Sequence, residues 1–328
     1  MGRVKRRDFV AAMGAALALP AVAAAQSAGR IYRIGWISPG GDRYTRPAFE
    51  ALIEGLRDLG YVEGRNMRVD AHWSDGDDRK LNDSAQTLVQ AHPDVIVTQT
   101  KAVFAVRATR TAIPVVFGFS GDPLLAKLAD SLAHPGRNFT GVSMLSLELV
   151  GKRMQLLREL LPRLNRVAVL ANPGHPGEQA ELEASRQAAA ALGIAIDYLP
   201  FAGTAEFEAA LGSARQRRAE AVMVFPDNGT IAYSERIADF ARRNRAPAIS
   251  GWSEFADRGN VISYGPDLRE MYRHLATYVD RILKGGRPAD LPIELPTRLE
   301  LVLNLRAAKE MGLNVSRELL ARADRVIE

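Results

Sequence analysis

Residues 115–124, VVFGFSGDPL, hold the side chains of this sequence best placed for covalent chemistry. Gly118-Phe119-Ser120 is the first half of the G-x-S-x-G elbow, in which a strained strand-to-helix turn exposes a nucleophilic serine. The place of the closing glycine is taken by Asp122. A serine hydrolase also needs a base beside Ser120, and the sequence places none there: the five histidines, His72, His92, His134, His175 and His274, are scattered. They form no H-E-x-x-H or other metal-ligating spacing, so no metal is expected. No G-x-G-x-x-G stands at the first turn and there is no Walker loop, which argues against a dinucleotide or nucleoside triphosphate, and no cofactor is expected. The absence of cysteine excludes disulfides, thiolate chemistry, a Cys-based zinc site and a lipid anchor on an N-terminal cysteine.

A loop of this kind needs a strand before it and a helix behind it, and the chain supplies that unit repeatedly. Residues 31–38 are a short apolar run ended by Pro39-Gly40-Gly41, and residues 48–59 carry apolar positions at helical spacing before Gly60. Residues 67–73, 95–98 and 114–119 read as further strands, with helices over 81–91 and 102–111 between them. Such alternation implies right-handed crossovers and a parallel sheet covered on both faces.

The pattern then repeats. Strand 166–170 ends in Ala171-Asn172-Pro173-Gly174 much as the first ends in Ser38-Pro39-Gly40, helix 178–192 stops at Gly193, and 194–199 and 221–225 follow as strands. Residues 246–253, APAISGWS, answer IPVVFGFS at 113–120. The fold class expected is therefore α/β, with two doubly wound parallel-sheet lobes and a ligand cleft between them. Gly251-Trp252-Ser253 is the twin of the Ser120 loop. Paired walls of one cleft need that symmetry, whereas a nucleophile does not.

Open α/β sheets bind ligands outside the carboxyl ends of their strands. That rule selects Ser38, Gly40, Thr98, Thr100, Ser120, Asp122, Asn172, Asp227, Asn228, Trp252 and Tyr264 as ligand-binding candidates. Small polar side chains with aromatic neighbours suit a solute with a polar head and an apolar or aromatic body. Structural duties compete for the same residues. Asp122-Pro123 is a good helix start, with Asp as N-cap and Pro at the first helical position. A helix N-terminus there would attract a carboxylate, while a free Asp122 would attract an amine. Asp227 lies beside Asn228-Gly229, a common turn pair, and Asn172-Pro173-Gly174 reads as a turn lining the cleft. Thr98 and Thr100 have no capping duty. Trp36 belongs to the core, and Tyr264, before a Gly-Pro break, divides evenly between hinge-side contact and packing.

With 328 residues and 47% hydrophobic content, the chain can bury the cores of two domains. Of its formal +5, Arg3, Lys5, Arg6 and Arg7 against Asp8 contribute a net +3. No later stretch concentrates Lys or Arg with interleaved aromatics, so no nucleic-acid partner is expected. Residues 1–25 read as an export signal. A basic start precedes the apolar run 9–19 and Pro20, and Ala23 and Ala25 stand where a signal peptidase reads. Arg6-Arg7-Asp8-Phe9-Val10 also resembles the twin-arginine signature, with Lys5 where Ser or Thr is usual. A soluble periplasmic protein without a lipid anchor is expected.

The series RIGWISPG, GLRDLGYVEGRN, DPL with PGRNFTGVS, ELVGKR, RVAVLANP, SYGPD and YVDRILKG with PADLP runs in order along nearly the whole mature chain. It resembles the ABC-transporter substrate-binding proteins of the tryptophan/tyrosine type. The resemblance implies a two-lobed, hinged periplasmic binding fold that closes on a small solute, with aromatic amino acids the best-known ligand class. It also implies delivery to a membrane ABC permease by a monomer without catalysis. It places residues 30–144 plus 265–288 in the first lobe and 145–264 plus 293–328 in the second. A periplasmic sensor presenting its solute to a membrane receptor is the alternative. A serine hydrolase stands well behind both.

Overall fold

The computed structural model describes residues 30–328, and the expected export signal lies outside the described residues. In the first lobe, strands Tyr32–Ser38 (β1), Met67–Trp73 (β2), Val95–Gln99 (β3), Val115–Phe119 (β4) and Phe139–Ser143 (β5) form a five-stranded sheet in the order β2-β1-β3-β4-β5. Every pairing in it is parallel. Helices Asp42–Asp58 (α1), Asp78–Gln90 (α2) and Ala102–Ala108 (α3) make the crossovers as far as β4, and a run of turns leads from β4 to β5. β3 and β4 are buried at every position, as strands covered on both faces must be, which is why VIVTQ and VVFGF show no alternation.

The second lobe begins with Val150–Leu160 (α4). It continues as Arg166–Ala171 (β6), Glu178–Ala191 (α5), Ala195–Pro200 (β7), Thr204–Gln216 (α6), Ala221–Val224 (β8), Asn228–Ile231 (α7), Ser234–Asn244 (α8), Ala248–Ser250 (β9), Ser253–Asp257 (α9) and Ile262–Pro266 (β10). The chain returns to the first lobe as Leu268–Leu283 (α10) and ends in the second with Leu299–Asn304 (β11), Leu305–Glu310 (α11), Arg317–Ala321 (α12) and Arg325–Ile327 (β12). This sheet is seven-stranded, in the order β12-β11-β10-β9-β8-β6-β7, and antiparallel only between β10 and β11. The two doubly wound α/β lobes inferred from the repeated pattern are present.

Two details differ from the sequence reading. Gly265 and Pro266, grouped there with the first lobe, pair with Glu300 and Leu299 and so belong to the second sheet. Ile293 and Glu294, grouped with the second lobe, run along β5: Glu294 N donates to Gly141 O (3.0 Å) and Ser143 N donates to Glu294 O (3.0 Å). An open strand edge needs partners for its backbone groups, and this segment supplies them. The chain thus passes between the lobes at 144–149, after Pro266 and again at 295–298.

Helix α1 starts at Asp42, earlier than the apolar spacing indicates, and contains Pro47. Tyr44 N and Thr45 N both donate to Gly41 O, anchoring the first turn, so Pro47 forfeits only one backbone bond. α10 lies against α1 so closely that a Cβ on Gly55 would stand 2.4 Å from Arg273 O; only glycine permits that approach. Trp36, fully buried, meets Phe49 and Tyr272 edge-on at 5.4 and 5.7 Å, joining β1 to both helices.

Candidate ligand-binding cleft

The carboxyl ends of the strands in one lobe face those in the other, and the two walls touch. Ser120, directly after β4, lies 2.9 Å from His175 Nε2, which follows β6. Thr100, after β3, accepts from Asn228 Nδ2 at 3.4 Å. A Cβ on Gly40 would stand 3.3 Å from Asn228 Cβ, so the loop after β1 lies against the same residue. All five residues are buried. Thr100 adopts φ of 40°, a left-handed conformation costly for a β-branched side chain, which turns the backbone back from β3 toward the opposite wall.

Around these contacts the remaining candidates divide. Asn172 and Asp227 join within the second wall: Asn172 Nδ2 donates to Asp227 Oδ1 at 2.7 Å, and that oxygen also accepts from Gly229 N. With Thr230 Oγ1 accepting from Asp227 N, the group forms a capping box that starts α7. Asn172, Asp227 and Gly229, with Lys101, Phe201 and Tyr233, line a cavity of about 390 Å³ at the rim of the cleft. Ser38 serves its own turn, donating to Thr45 Oγ1 and accepting from Gly40 N. Asp122 Oδ1 accepts from Leu124 N and Leu125 N, so it caps as expected. What it caps is a series of turns rather than a helix. Trp252 is packed into the core with Nε1 unpaired, and Tyr264 contributes its backbone carbonyl. Thr98 Oγ1 is buried without a partner.

Beneath the second wall lies a buried pair of ionisable side chains. Arg153, on α4, is fully enclosed; Nε donates to Tyr264 O (2.9 Å) and Nη1 to Ser146 O (3.1 Å), while Nη2 has no partner. Both carboxyl oxygens of Glu181, on α5, are likewise unpaired. Burial pushes the Glu181 carboxyl up to about 8 against the pull of Arg153, and lowers the Arg153 guanidinium to about 10. Burial also lowers His175. Its Nδ1 accepts from Gly177 N at 3.1 Å, with Glu181 Oε1 3.5 Å away.

The family model described as ABC transporter substrate binding protein matches residues 45–327. This chain belongs to the ABC transporter substrate-binding protein family. A tyrosine-binding protein of Clostridioides difficile is 22% identical over 269 residues, 81% of this chain and 76% of that one. A crystal structure of a conserved domain protein from Vibrio cholerae superposes with a TM-score of 0.85 at 26% identity, covering 90% of this chain and all of that one. The ABC domain in complex with L-Trp from Streptococcus pneumonia does so at 0.82 and 21%, with the same coverage. The two-lobed fold is that of the periplasmic binding protein-like class.

For a substrate-binding protein the Ser120–His175 contact has a plain meaning, and its geometry opposes the hydrolase reading. Because Nδ1 accepts the Gly177 N–H, the ring proton sits on Nε2 and is donated to Ser120 Oγ. A general base at Ser120 would need a lone pair on that same nitrogen. The contact instead joins the lobes.

Arg153, His175 and Glu181 are absent from the sequence-derived candidates. His175 meets Ser120 only when the lobes meet. The signal available for the other two was burial at helical spacing: Val150, Arg153, Met154 and Leu157 share one buried stripe, as do Glu181, Leu182, Ser185 and Ala189. A charge at a core-facing position is seldom tolerated unless paired. Among the described residues, no group of three or more His, Cys, Asp or Glu is placed to hold a metal ion, and no helix is long and apolar enough to cross a membrane.

Proposed function

We propose that this protein is the periplasmic receptor of an ABC importer, a monomer that encloses a small amino acid with an aromatic or similarly apolar side chain and hands it to a membrane permease. The observation that carries the reading is the meeting of two loop walls over unpaired buried polar groups. Thr98 Oγ1 belongs to the first lobe, and Arg153 Nη2 and both Glu181 oxygens belong to the second. Buried polar atoms in a folded protein are nearly always paired, and a solute entering between the lobes supplies the partners that the protein withholds. A solute bridging both walls favours the closed form by its differential contacts. Relatives bearing the names of tyrosine and L-Trp support the choice of ligand class.

The test is calorimetric titration of the mature protein with L-tyrosine, L-tryptophan, L-leucine and L-aspartate, alongside thermal melting with each. Saturable binding of the aromatic pair, with a raised melting temperature and unchanged solute recovered afterwards, is the expected result. Binding of none of the four, or chemical conversion of any, overturns the proposal.

A further inference from the structure

Arg153 stands on α4 just after the first passage between the lobes. Its guanidinium reaches the first passage and the strand that leads into the second: Nη1 donates to Ser146 O on the segment 144–149, and Nε donates to Tyr264 O on β10, just before the chain returns. One rigid planar group therefore ties the first connection between the lobes to the strand from which the second departs. Its remaining nitrogen, Nη2, is unpaired although the residue is only 1% exposed. A donor on a buried cation left without an acceptor costs more than about 1–3 kcal/mol, the range for a neutral group.

No side chain answers Nη2. A Cβ at Gly251 would stand 2.5 Å from Nη2 and 2.7 Å from Pro226 Cγ, so only glycine lets the guanidinium lie against that loop. Glu181, the acid acting on Arg153 most strongly, makes no hydrogen bond to it, and burial keeps that carboxyl largely protonated at neutral pH. Arg153 Nη2 thus has no carboxylate hydrogen-bonded to it.

We propose that Arg153 couples solute to hinge: a carboxylate on the solute accepts from Nη2, and the same guanidinium, held to Ser146 O and Tyr264 O, fixes the closed setting of the two connections. The inference rests on the solute-binding reading above. Lysine would keep the charge, but an ammonium on a flexible stem cannot hold two carbonyls in a fixed fork while meeting a carboxylate. Arg153 is on this account a positioning and specificity residue, selecting solutes that carry an anionic group.

The experiment titrates L-tyrosine and L-tyrosinamide into the wild type, Arg153→Lys and Arg153→Met at about pH 6, where both probes keep the α-ammonium. Because the chain has no cysteine, dyes placed on Asn82→Cys and Ala205→Cys, one in each lobe, report closure. The wild type is expected to prefer the acid by at least about tenfold, a preference absent from Arg153→Met. Arg153→Lys is expected to keep part of the preference without the full change in interdye distance. A preference retained by Arg153→Met, or full closure by Arg153→Lys, overturns the inference while the solute-binding reading stands. If Arg153→Met does not fold, Arg153→Lys decides. A wild type that binds L-tyrosine but not more tightly than its amide also overturns the inference. A wild type that binds neither L-tyrosine nor L-tryptophan overturns the amino-acid reading first, and the inference with it.

Discussion

Glu181 shows how much one buried side chain can reveal. Its carboxyl, held near 8 by burial and by the fields of Asp227, Glu148 and Glu178, and opposed by Arg153, ionises near 4.5 once exposed. Between those values the native state binds more protons than the unfolded state, so this group makes stability fall as pH rises through the window. The slope is at most about 1.4 kcal/mol per pH unit. Glu181→Gln keeps the shape without the titration. Urea unfolding at pH 5 and pH 8 should show the variant gaining on the wild type by about 1–3 kcal/mol at the higher pH. Parallel stability curves for the two proteins would mean that Glu181 ionises normally. The same side chain was hidden from the sequence for a simple reason: a glutamate in a helix is ordinary until the helix face is known to be covered.

At the scale of elements, loop chemistry has two separable duties. Asp227 starts α7, accepting from Gly229 N and Asn172 Nδ2. Asp227→Ala should cost about 1–2 kcal/mol of global stability in denaturant, since it removes the cap and strands a buried amide. A loss below about 0.3 kcal/mol would remove the cap from the account. Asp122 is the contrasting case, its Oδ1 already accepting from Leu124 N and Leu125 N. Asp122→Asn keeps an acceptor in that place, so solute affinity should stay within about twofold; a drop beyond about tenfold in calorimetry would place a solute ammonium on the carboxylate. Much of this level was legible in advance. Continuous apolar runs such as VIVTQ marked buried parallel strands, and the echo of IPVVFGFS in APAISGWS marked the second lobe. The helix expected after Pro123 was not there, because a capping Asp signals a start without fixing how far the turns continue. The pair under the wall was harder to read because Arg153 and Glu181 stand on different helices, and Tyr264, which accepts from Arg153, is 111 residues along the chain.

Among the described residues, the polar contacts between the facing walls are individually weak. Ser120–His175 and Asn228–Thr100 are neutral hydrogen bonds worth about 1 kcal/mol each. Arg43–Glu235, at 3.4 Å with both side chains mostly exposed, adds about 0–1 kcal/mol. Arg258 lies 5.1 Å over the Tyr44 ring and adds a cation–π contact of about 0.5–1 kcal/mol between the lobes. On the proposed function, a solute would need only a few kcal/mol of differential contact to shift the lobes toward closure. Removing both bonds in Ser120→Ala/Asn228→Ala should tip the empty protein open, enlarging its radius of gyration in X-ray scattering, while saturating L-tyrosine still returns it to the compact value at higher concentration. An empty double variant as compact as the empty wild type would show that the lobes are held by their connections rather than by their facing walls. In that case the Ser120–His175 bond would be a consequence of closure and not one of its causes.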